Sequence, residues 1–387
     1  MHVIAVDRDP QAVGFVLADE RAIISSEDEE AVDRLARARE VDGIVSPGAD
    51  WPVGIAARVA ERIGLAHPIT ARTGSIVTSK ARQREAFAAA GVPHAHELDR
   101  RQGELRFPLV VKAPDRQGQR GLALVRSADG LDAALETALA ESRGGAVLVE
   151  EHVEGPEVTV NALSVDGRFV PLTVTDRLTA EPPAFGVALA HVWPSRHDTT
   201  AAVAAAGAAV EAVGIRNGPS YTQLRLGPAG PVVMEVTARL GGGHDAELCA
   251  AATGVDLNAL AVEFALGSGT VGCLTPVTPP SLDAAARPGA SLGTDTSGAS
   301  PRGAAVVFLV PPVGRLLQVD GVEEAEALPG VEWVRVYRRP GHVFGPLRRG
   351  ADRAGAALVT GADRDDALVR GRRAADAVRF RIDADAS

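Results

Sequence analysis

The sequence predicts a protein of several packed units that combine α/β and α+β architecture. Short apolar strands alternate with amphipathic helices over roughly the first 78 residues, and this alternation is typical of a parallel α/β unit. Between about residues 108 and 178, a strand–loop–strand–helix–strand order indicates a small α+β unit of its own. Because 387 residues exceed the usual size of one domain, we expect two to four packed units.

The amino-terminal unit, residues 1–78, is predicted from the spacing of its apolar residues. The chain begins directly with the strand that ends at Asp7, whereas a complete unit of this type has an earlier strand and glycine turn. We therefore expect a unit that is reduced or truncated. The predicted elements are, in order, the strands HVIAVD and AIIS, the helix EEAVDRLARARE, the buried strand DGIVSPG and the helix VGIAARVAERIGL.

Residues 79–275 form the predicted central part of the chain. A helix in SKARQREAFAAAGVPH is stopped by Gly91 and Pro93, and a later hairpin turns at Asp166-Gly167. The elements expected between these positions are the strands FPLVVK and LALV around the loop DRQGQRG, the helix DGLDAALETALAES and the strand AVLVEEHV.

The last part of the chain divides into a linker and a small closing domain. Residues 276–303 are rich in Pro, Gly, Ser and Ala, which predicts a linker or a long loop. Residues 304–387 carry both strand and helix patterns, and we expect them to fold as a carboxy-terminal domain.

Composition and charge argue against several classes of function. The formal net charge of −10 at pH 7 is unsuited to nucleic acid, because phosphate binding needs a basic surface. No apolar run approaches the roughly 20 residues that cross a membrane, and the start lacks the features of a signal peptide. Cys249 and Cys273 are the only cysteines, so neither a disulfide framework nor a thiolate metal site is indicated. We expect a cytoplasmic protein whose partners are neither nucleic acids nor membranes.

The predicted hairpin over residues 221–237 carries the most informative pair of polar residues. With a three-residue loop, Gln223 lies directly opposite Glu235, whereas an even-numbered loop would place them on opposite faces. A carboxylate and an amide oxygen that converge are hard ligands suited to Mg²⁺, which completes its shell with water and phosphate. A solvated strand pair without a ligand fits the same pattern. Three further residues are expected on this face: Tyr221, Arg225 and Thr237.

Other residues are candidates for binding phosphate or substrate. Lys112 ends an apolar strand, where it offers a point charge to polyphosphate, and the glycine-bearing loop that follows contains Arg120. Arg239 precedes three glycines and suits the charge that develops when phosphate passes to a carboxylate. His191 and His244 are candidates for lining a substrate pocket. Each of these residues also has an ordinary explanation, as a strand end, a surface arginine or a structural histidine.

Taken in order along nearly the whole chain, these segments resemble the ATP-grasp superfamily. SKARQREAFAAAGVP and FPLVVK match the places of the family's two ATP lysines, and DRQGQRG occupies the place of its mobile glycine-rich loop. VEEHVEGPE matches the hinge, where backbone groups hold adenine and the last glutamate lies near the ribose. The resemblance implies an ATP site formed by Lys80, Lys112, Arg120, Glu150, Glu151, Val153, Glu157, Gln223 and Glu235.

EVTARLGGGH resembles the family's signature for the metal ion and the transferred phosphate. By this resemblance Glu235 is the magnesium carboxylate, Gln223 takes the other metal-ligand position, and Arg239 steadies an acyl phosphate. Thr237 departs from the pattern because Asn is usual there, although a hydroxyl can still hold a metal-bound water. The implied cofactors are ATP and Mg²⁺ or Mn²⁺. The implied catalytic residues are Arg239, Lys112 and Arg120.

The carboxy-terminal segment GRLLQVDGVEEAEALPGVEWVRVYRRPGHVF resembles the closing domain of L-amino-acid ligases. The implied architecture is an ATP-grasp fold with a reduced amino-terminal α/β domain, a mobile α+β lid at about 108–178 and a small carboxy-terminal domain. The implied reaction phosphorylates a carboxylate with ATP and couples it to an amine. Small-molecule substrates such as amino acids are expected, and so is a homodimer, because family members often form one.

Two other functions stay open on the sequence. One is activation of bicarbonate, as in biotin carboxylase or the purine-pathway carboxylases, for which the carboxy-terminal segment is a more distant match. The other is a nucleotide-binding module without turnover, which Thr237 and the short start favour. The four residues that argue against such a module are Lys80, Lys112, Glu235 and Arg239.

Overall fold

The computed structural model describes residues 1–99, 105–269 and 302–384. Its α-helices are α1 (Glu29–Ala38), α2 (Asp50–Ile63), α3 (Ala71–Val77), α4 (Lys80–Ala90), α5 (Leu131–Glu141), α6 (Thr200–Ala212), α7 (Asp245–Thr253), α8 (Leu257–Ala265), α9 (Val322–Glu326) and α10 (Arg364–Ala377). Its strands are β1 (Ile4–Asp7), β2 (Glu20–Ile23), β3 (Leu109–Lys112), β4 (Ala123–Val125), β5 (Leu148–Glu151), β6 (Glu157–Val165), β7 (Arg168–Thr179), β8 (Ala188–Trp193), β9 (Gly218–Gly227), β10 (Gly230–Thr237), β11 (Gly303–Leu309), β12 (Gly314–Asp320), β13 (Val331–Val336), β14 (Val343–Phe344), β15 (Gly355–Gly361) and β16 (Arg379–Asp383).

The amino-terminal unit combines a parallel strand pair with helices α1 to α3. β1 and β2 pair in parallel, as the alternation of strands and helices predicts. The Asp28 side chain accepts a hydrogen bond from the Ala31 N–H and so caps α1. Gly64 ends α2 with a left-handed backbone, a conformation that glycine adopts without steric cost.

The predicted strand in DGIVSPG is wrong. Residues 41–49 are all described, and none of them lies in a strand. Val41 and Ile44 pack against the core between α1 and α2. A Cβ atom at Gly43 would stand 2.7 Å from the carbonyl oxygen of Ala265, so the segment also runs close to α8. Its neighbours are therefore helices, and the apolar run is only partly buried, with Val45 exposed and no strand partner.

β3, β4 and β5 form a separate antiparallel sheet in the order β4-β3-β5, and α5 packs against it; we call these elements the lid sheet. Its core contains Leu109, Val111, Val125 and Ala138. The predicted order of strand, loop, strand, helix and strand is confirmed. β6 and β7 pair in a different sheet, so the lid sheet ends with β5, short of residue 178.

An eight-stranded antiparallel sheet, in the order β10-β9-β6-β7-β8-β11-β15-β13, connects the central and carboxy-terminal parts. β11 pairs with β8, so strands from the predicted closing domain extend the central sheet. β14, β12 and β16 form a further small sheet. The predicted linker, 276–303, lies outside the described residues except for residues 302 and 303.

The two ends of this sheet bury different helices. α6 packs on β9 and β10, where the core includes Val210, Leu224 and Val233. α10 covers β11 and β15 in a second core. The predicted turn between β6 and β7 is confirmed: Asp166 and Gly167 have φ of 53° and 87°, the signs that a type I′ turn requires.

α7 and α8 are the apolar helices that precede the undescribed stretch. Among the described residues, no single helix is long and apolar enough to cross a membrane. α7 and α8 meet that test only as a pair, by length and composition, and they are bent by 112°. Cys249 in α7 is buried and unpaired, and burial raises the pKa of its thiol to about 11. Cys273 lies outside the described residues.

Candidate active site

The β9–β10 hairpin differs from its predicted geometry in two ways that compensate each other. Gly227 pairs with Gly230, so the loop has two residues and the predicted three-residue loop is wrong. That loop alone would place Gln223 and Glu235 on opposite faces. A β-bulge between Val233 and Glu235 inserts one extra residue, and Glu235 then pairs with Gln223. The predicted pairing is confirmed, with a bulge in place of the longer loop.

The other residues of the predicted face are partly separated from this pair. Thr237 pairs with Tyr221, and both side chains are buried. The Thr237 hydroxyl has no hydrogen-bond partner among the described residues. Arg225 donates to the Val153 carbonyl oxygen at 3.1 Å and to the Glu157 carboxylate at 3.4 Å. Ligation of a metal ion by Thr237 stays a prediction.

A cavity of about 100 Å³ lies between the lid sheet and the β9–β10 hairpin; we call it the lid cavity. The structure brings together in its lining these predicted site residues: Lys80, Lys112, Arg120, Val153, Glu157, Gln223 and Glu235. Lys80 and Lys112 are the only two lysines of the chain. All remaining strongly basic side chains of the chain are arginines. The rarity of lysine is therefore a signal for these two positions that the motif analysis missed.

Lys80 and Glu235 form an ion pair within the lid cavity. Lys80 Nζ lies 2.9 Å from one carboxylate oxygen of Glu235 and also donates to the Arg116 carbonyl oxygen at 2.7 Å. Burial raises the pKa of Glu235, but the nearby charges of Lys80, Arg239 and Lys112 outweigh burial and hold that pKa below its ordinary value. Glu235 is therefore an anion in the cavity, the state in which a carboxylate binds a metal ion.

Lys112 takes part in a buried ion-pair network. Its ammonium contacts the Glu150 carboxylate, which also accepts from Arg84 Nε at 2.6 Å. Burial lowers the pKa of Lys112 to about 8, although Glu150 acts in the opposite direction. For Glu150, burial raises the carboxyl pKa, but the charges of Lys112 and Arg84 prevail and keep that pKa below its usual range. The network holds a cation at the cavity wall.

Only some of the predicted hinge residues line the lid cavity. Val153 and His152 line the lid cavity, but Glu150 and Glu151 do not. Their backbones pair with β3, and the Glu151 N–H donates to the His96 carbonyl oxygen at 3.0 Å. Glu150 and Glu151 therefore serve the fold as well, and contact of ATP with their backbone groups stays a prediction.

The glycine-bearing loop is held against its surroundings by side-chain amides. The Asp50 N–H donates to Gln117 Oε1 at 2.8 Å, and the Gly350 N–H donates to Gln119 Oε1 at 3.2 Å. Residues 118, 119 and 121 all have positive φ, from 63° to 69°, which suits the two glycines among them. Arg120, from the same loop, reaches the lid cavity, and burial lowers the pKa of its guanidinium.

A second cavity, of about 80 Å³, adjoins the first on the side of the amino-terminal unit; we call it the adjoining cavity. Asp50 and Trp51, at the start of α2, line it together with Arg143. Arg143 lies 4.8 Å from the Trp51 ring and 2.5 Å from the Glu27 carboxylate. The residues shared by both cavities are Lys80, Arg116, Gln117, Arg120 and Glu235.

Arg239 is buried behind the adjoining cavity. Its Nε donates to Asp50 Oδ1 at 2.5 Å, and its Nη1 donates to the Leu240 carbonyl oxygen at 2.6 Å. Burial lowers the pKa of the guanidinium, but the Asp50 carboxylate beside it raises that pKa above its ordinary value overall. Arg239 therefore does not line the adjoining cavity itself but holds Asp50, which does. The sequence analysis did not identify Asp50 as a site residue.

The two candidate histidines line neither the lid cavity nor the adjoining cavity. His191 is buried in β8, with its Nδ1 3.0 Å from the Asp245 carboxylate. His244 contacts the Tyr337 hydroxyl at 2.5 Å and the Glu247 carboxylate at 3.1 Å. Both make contacts within the fold, and the structure does not bring either of them to the predicted site.

The donor set for a metal ion is small. Among the described residues, no group of three or more His, Cys, Asp or Glu side chains is arranged to hold one. Gln223 donates its amide N–H to Glu157 at 2.5 Å, a bond that does not use its amide oxygen. That oxygen and the Glu235 carboxylate fit Mg²⁺, which needs few protein ligands when phosphate and water complete its shell.

Two family models match separate parts of the chain. The carbamoyl-phosphate synthase L chain, ATP binding domain, matches residues 78–270. The L-amino acid ligase C-terminal domain 2 matches residues 307–383. The first match runs from α4 to α8 and includes the lid sheet, whereas the second begins inside β11 and ends with β16.

Individual proteins extend this similarity. An uncharacterized protein of Sinorhizobium fredii, y4rH, is 27% identical over 99% of this chain and 78% of its own length. An ATP-grasp enzyme of Aspergillus fumigatus, fsqD, is 32% identical, but the match covers 37% of this chain and 25% of that protein. The crystal structure of an L-amino acid ligase from Bacillus licheniformis has a TM-score of 0.76 at 22% identity, over 95% of this chain and 88% of that one. The ATP-grasp fold is confirmed, and the chain belongs to the ATP-grasp superfamily of ATP-dependent ligases.

Proposed function

We propose that this protein is an ATP- and magnesium-dependent carboxylate–amine ligase that works through an acyl phosphate and releases ADP and phosphate. The observation that carries the proposal is the contact between the two cavities, which share Lys80, Arg120 and Glu235. A phosphoryl group bound at these residues is open to the lid cavity on one side and to the adjoining cavity on the other. This is the arrangement that transfer from a nucleotide to a second substrate requires.

The lid cavity suits the nucleotide. Lys112 and Lys80 offer charges to the phosphates, and the loop that carries Arg120 covers them. Glu235 and the amide oxygen of Gln223 would hold Mg²⁺, which neutralises part of the phosphate charge when it is bound. Val153 and the Phe185 ring provide the apolar part of the lining that a base needs.

The adjoining cavity suits the carboxylate and the amine. A carboxylate oxygen attacks the γ-phosphorus, and ADP leaves with the electron pair of the broken bond. The amine nitrogen then attacks the acyl carbon, inorganic phosphate leaves, and the nitrogen loses a proton. Arg120 faces the charge that develops in the first step, because it lines both cavities. The loop contacts to Asp50 and Gly350 help to exclude water, which would hydrolyse the acyl phosphate.

Small carboxylates, amino acids among them, are the proposed substrates. The adjoining cavity has both cationic and anionic lining residues, with Arg116 and Arg143 beside Glu27 and Asp50. Such a lining suits a zwitterion. The match of residues 307–383 to an L-amino acid ligase domain also supports this class.

A screen of phosphate release tests the proposed function. With ATP and Mg²⁺, we expect release that needs an amino acid or another small organic carboxylate and that increases when an amine is added. Mass spectrometry of the product should show the mass of the two substrates less one water. Release stimulated by bicarbonate alone would favour a carboxylase instead. No release with any carboxylate, in protein that binds ATP, would favour a module without turnover.

A further inference from the structure

The position of Glu235 depends on a bulge that the hairpin loop does not enforce. Leu224 pairs with Val233, so a regular ladder would place Met234 opposite Gln223. The carboxylate of Glu235 would then point to the other face of the sheet. Some contact outside the hairpin must therefore keep Met234 as the extra residue.

One face of α4 contacts the backbone of the extra residue, Met234, and of Val236, two residues later. Gln83 and Arg84 are both buried, with 0% and 5% of their surfaces exposed. The Val236 N–H donates to the Gln83 amide oxygen at 3.0 Å, and the Gln83 amide N–H donates to the Val77 carbonyl oxygen at 2.9 Å. Arg84 Nη2 donates to the Met234 carbonyl oxygen at 2.8 Å. These contacts fit the bulged register, in which the Val233 N–H also donates to the Pro93 carbonyl oxygen at 2.8 Å.

Lys80 belongs to the same helical face, since it lies three residues before Gln83 and four before Arg84. It contacts the side chain of Glu235, the residue between the two backbone contacts. The helix thus contacts three consecutive residues at the bulge. A slip of one position in β10 would break every one of these contacts.

Arg84 is also linked, through Glu150, to Lys112 in the lining of the lid cavity. Its Nε donates to Glu150, which forms the ion pair with Lys112. One guanidinium therefore connects the strand that bears Glu235 to the strand that bears Lys112. Neither Gln83 nor Arg84 lines the cavity, so both act through other residues.

We propose that Gln83 and Arg84 are positioning residues that fix the bulged register of β10 and so hold Glu235 towards the metal site. Arg84 also sets the distance between Glu235 and Lys112. The roles of Glu235 and Lys112 in this inference rest on the proposed function. The claim that Gln83 and Arg84 fix the register of β10 does not rest on the proposed function. It can be tested by a measurement that needs no enzymatic activity.

Met234 is a specific probe of the bulge, because the chain has only one other methionine, Met1. With ¹³C-methyl methionine labelling, Arg84→Leu should shift or broaden the Met234 methyl resonance. Arg84→Lys keeps a cation beside Glu150 but lacks the guanidinium that bonds both Glu150 and the Met234 carbonyl oxygen. It should therefore give a smaller change in the Met234 resonance. Arg82→Leu, at an exposed position of the same helix, should leave the resonance unchanged.

The metal dependence provides the second readout. At saturating ATP, the Mg²⁺ concentration for half-maximal ATP consumption should increase about tenfold or more in Arg84→Leu, the range seen when partners of metal ligands are lost. Arg84→Lys should lie between the wild type and Arg84→Leu, and Arg82→Leu should match the wild type. If no substrate turns over, binding of Mn²⁺ to the complex with a non-hydrolysable ATP analogue replaces this assay. A failed function is thus distinguished from a failed inference.

An unchanged Met234 resonance together with unchanged metal binding in folded Arg84→Leu would overturn the inference. If Arg84→Leu does not fold, the comparison of Arg84→Lys with Arg82→Leu decides in the same way. Equal spectra and equal metal affinity for those two variants would then count against a positioning role.

Discussion

Glu235→Gln is expected to abolish ATP consumption while the protein stays folded. The substitution keeps the size of the side chain but removes the charge that attracts both Mg²⁺ and Lys80. Even the loss of an outer partner of a metal ligand lowers activity 10- to 100-fold, so we expect a decrease of roughly a hundredfold or more. ADP formation at saturating ATP and carboxylate measures this effect.

The fold should survive Glu235→Gln, because Lys80 keeps its hydrogen bond to the Arg116 carbonyl oxygen. A melting temperature close to that of the wild type checks this point. Glu211→Gln is the matched control, since Glu211 is exposed on α6 and lines neither cavity. Normal ADP formation by Glu235→Gln would refute the metal assignment.

Lys112→Met is expected to weaken ATP binding. Lys112 is one of only two lysines and is held at the cavity wall by Glu150. Removing one partner of a buried charged contact costs about 2–5 kcal/mol, which corresponds to a loss of affinity of more than tenfold. Glu150 keeps its ion pair with Arg84, which limits the cost to the fold. Calorimetric titration with ATP measures the change, and Arg126→Met, at an exposed position near the lid, is the control.

The same lysine should make ATP binding sensitive to pH. Because burial lowers the pKa of Lys112 to about 8, its positive charge is lost as the pH rises through that value, where an ordinary lysine stays charged. The ATP affinity of the wild type should therefore decrease as the pH rises from roughly 7 to 9.5. An ordinary lysine, with a pKa of about 10.4, would stay mostly charged over this range. In Lys112→Met this decrease should be absent. An affinity that is equal in both variants at every pH would contradict the assignment.

The sequence was sufficient to identify the parts of the site that depend on residue type. Lys112, Glu235 and Gln223 could be proposed because phosphate and magnesium chemistry restricts which side chains serve, and Lys80 was added by the family resemblance. All four line the lid cavity. The long helices, the lid strands and the Asp166-Gly167 turn could also be predicted, since their periodicity or turn residues are local signals. The wrong strand in DGIVSPG shows the limit of that approach, because a short apolar run does not reveal whether helices or strands surround it.

The hairpin register could not be derived from loop length alone. In β10 the buried residues Val233 and Val236 are three positions apart, whereas a regular strand buries every second residue. This three-residue spacing of buried apolar residues is the signal in the sequence that indicates the bulge. The supporting contacts from Gln83 and Arg84, and the role of Asp50 beside Arg239, depend on tertiary neighbours. They are not encoded by spacing along the chain, and only the structure brings them together.

The most direct test of the central claim is a crystal structure of the protein with Mn²⁺ and a non-hydrolysable ATP analogue. The account predicts an anomalous peak about 2.0–2.2 Å from a Glu235 carboxylate oxygen and the Gln223 amide oxygen, the distances of an ion of this size. The triphosphate should contact Lys80 and Lys112 in the lid cavity. A metal ion bound elsewhere, or a triphosphate that touches neither lysine, would contradict the claim that one cavity holds the nucleotide and its cation together.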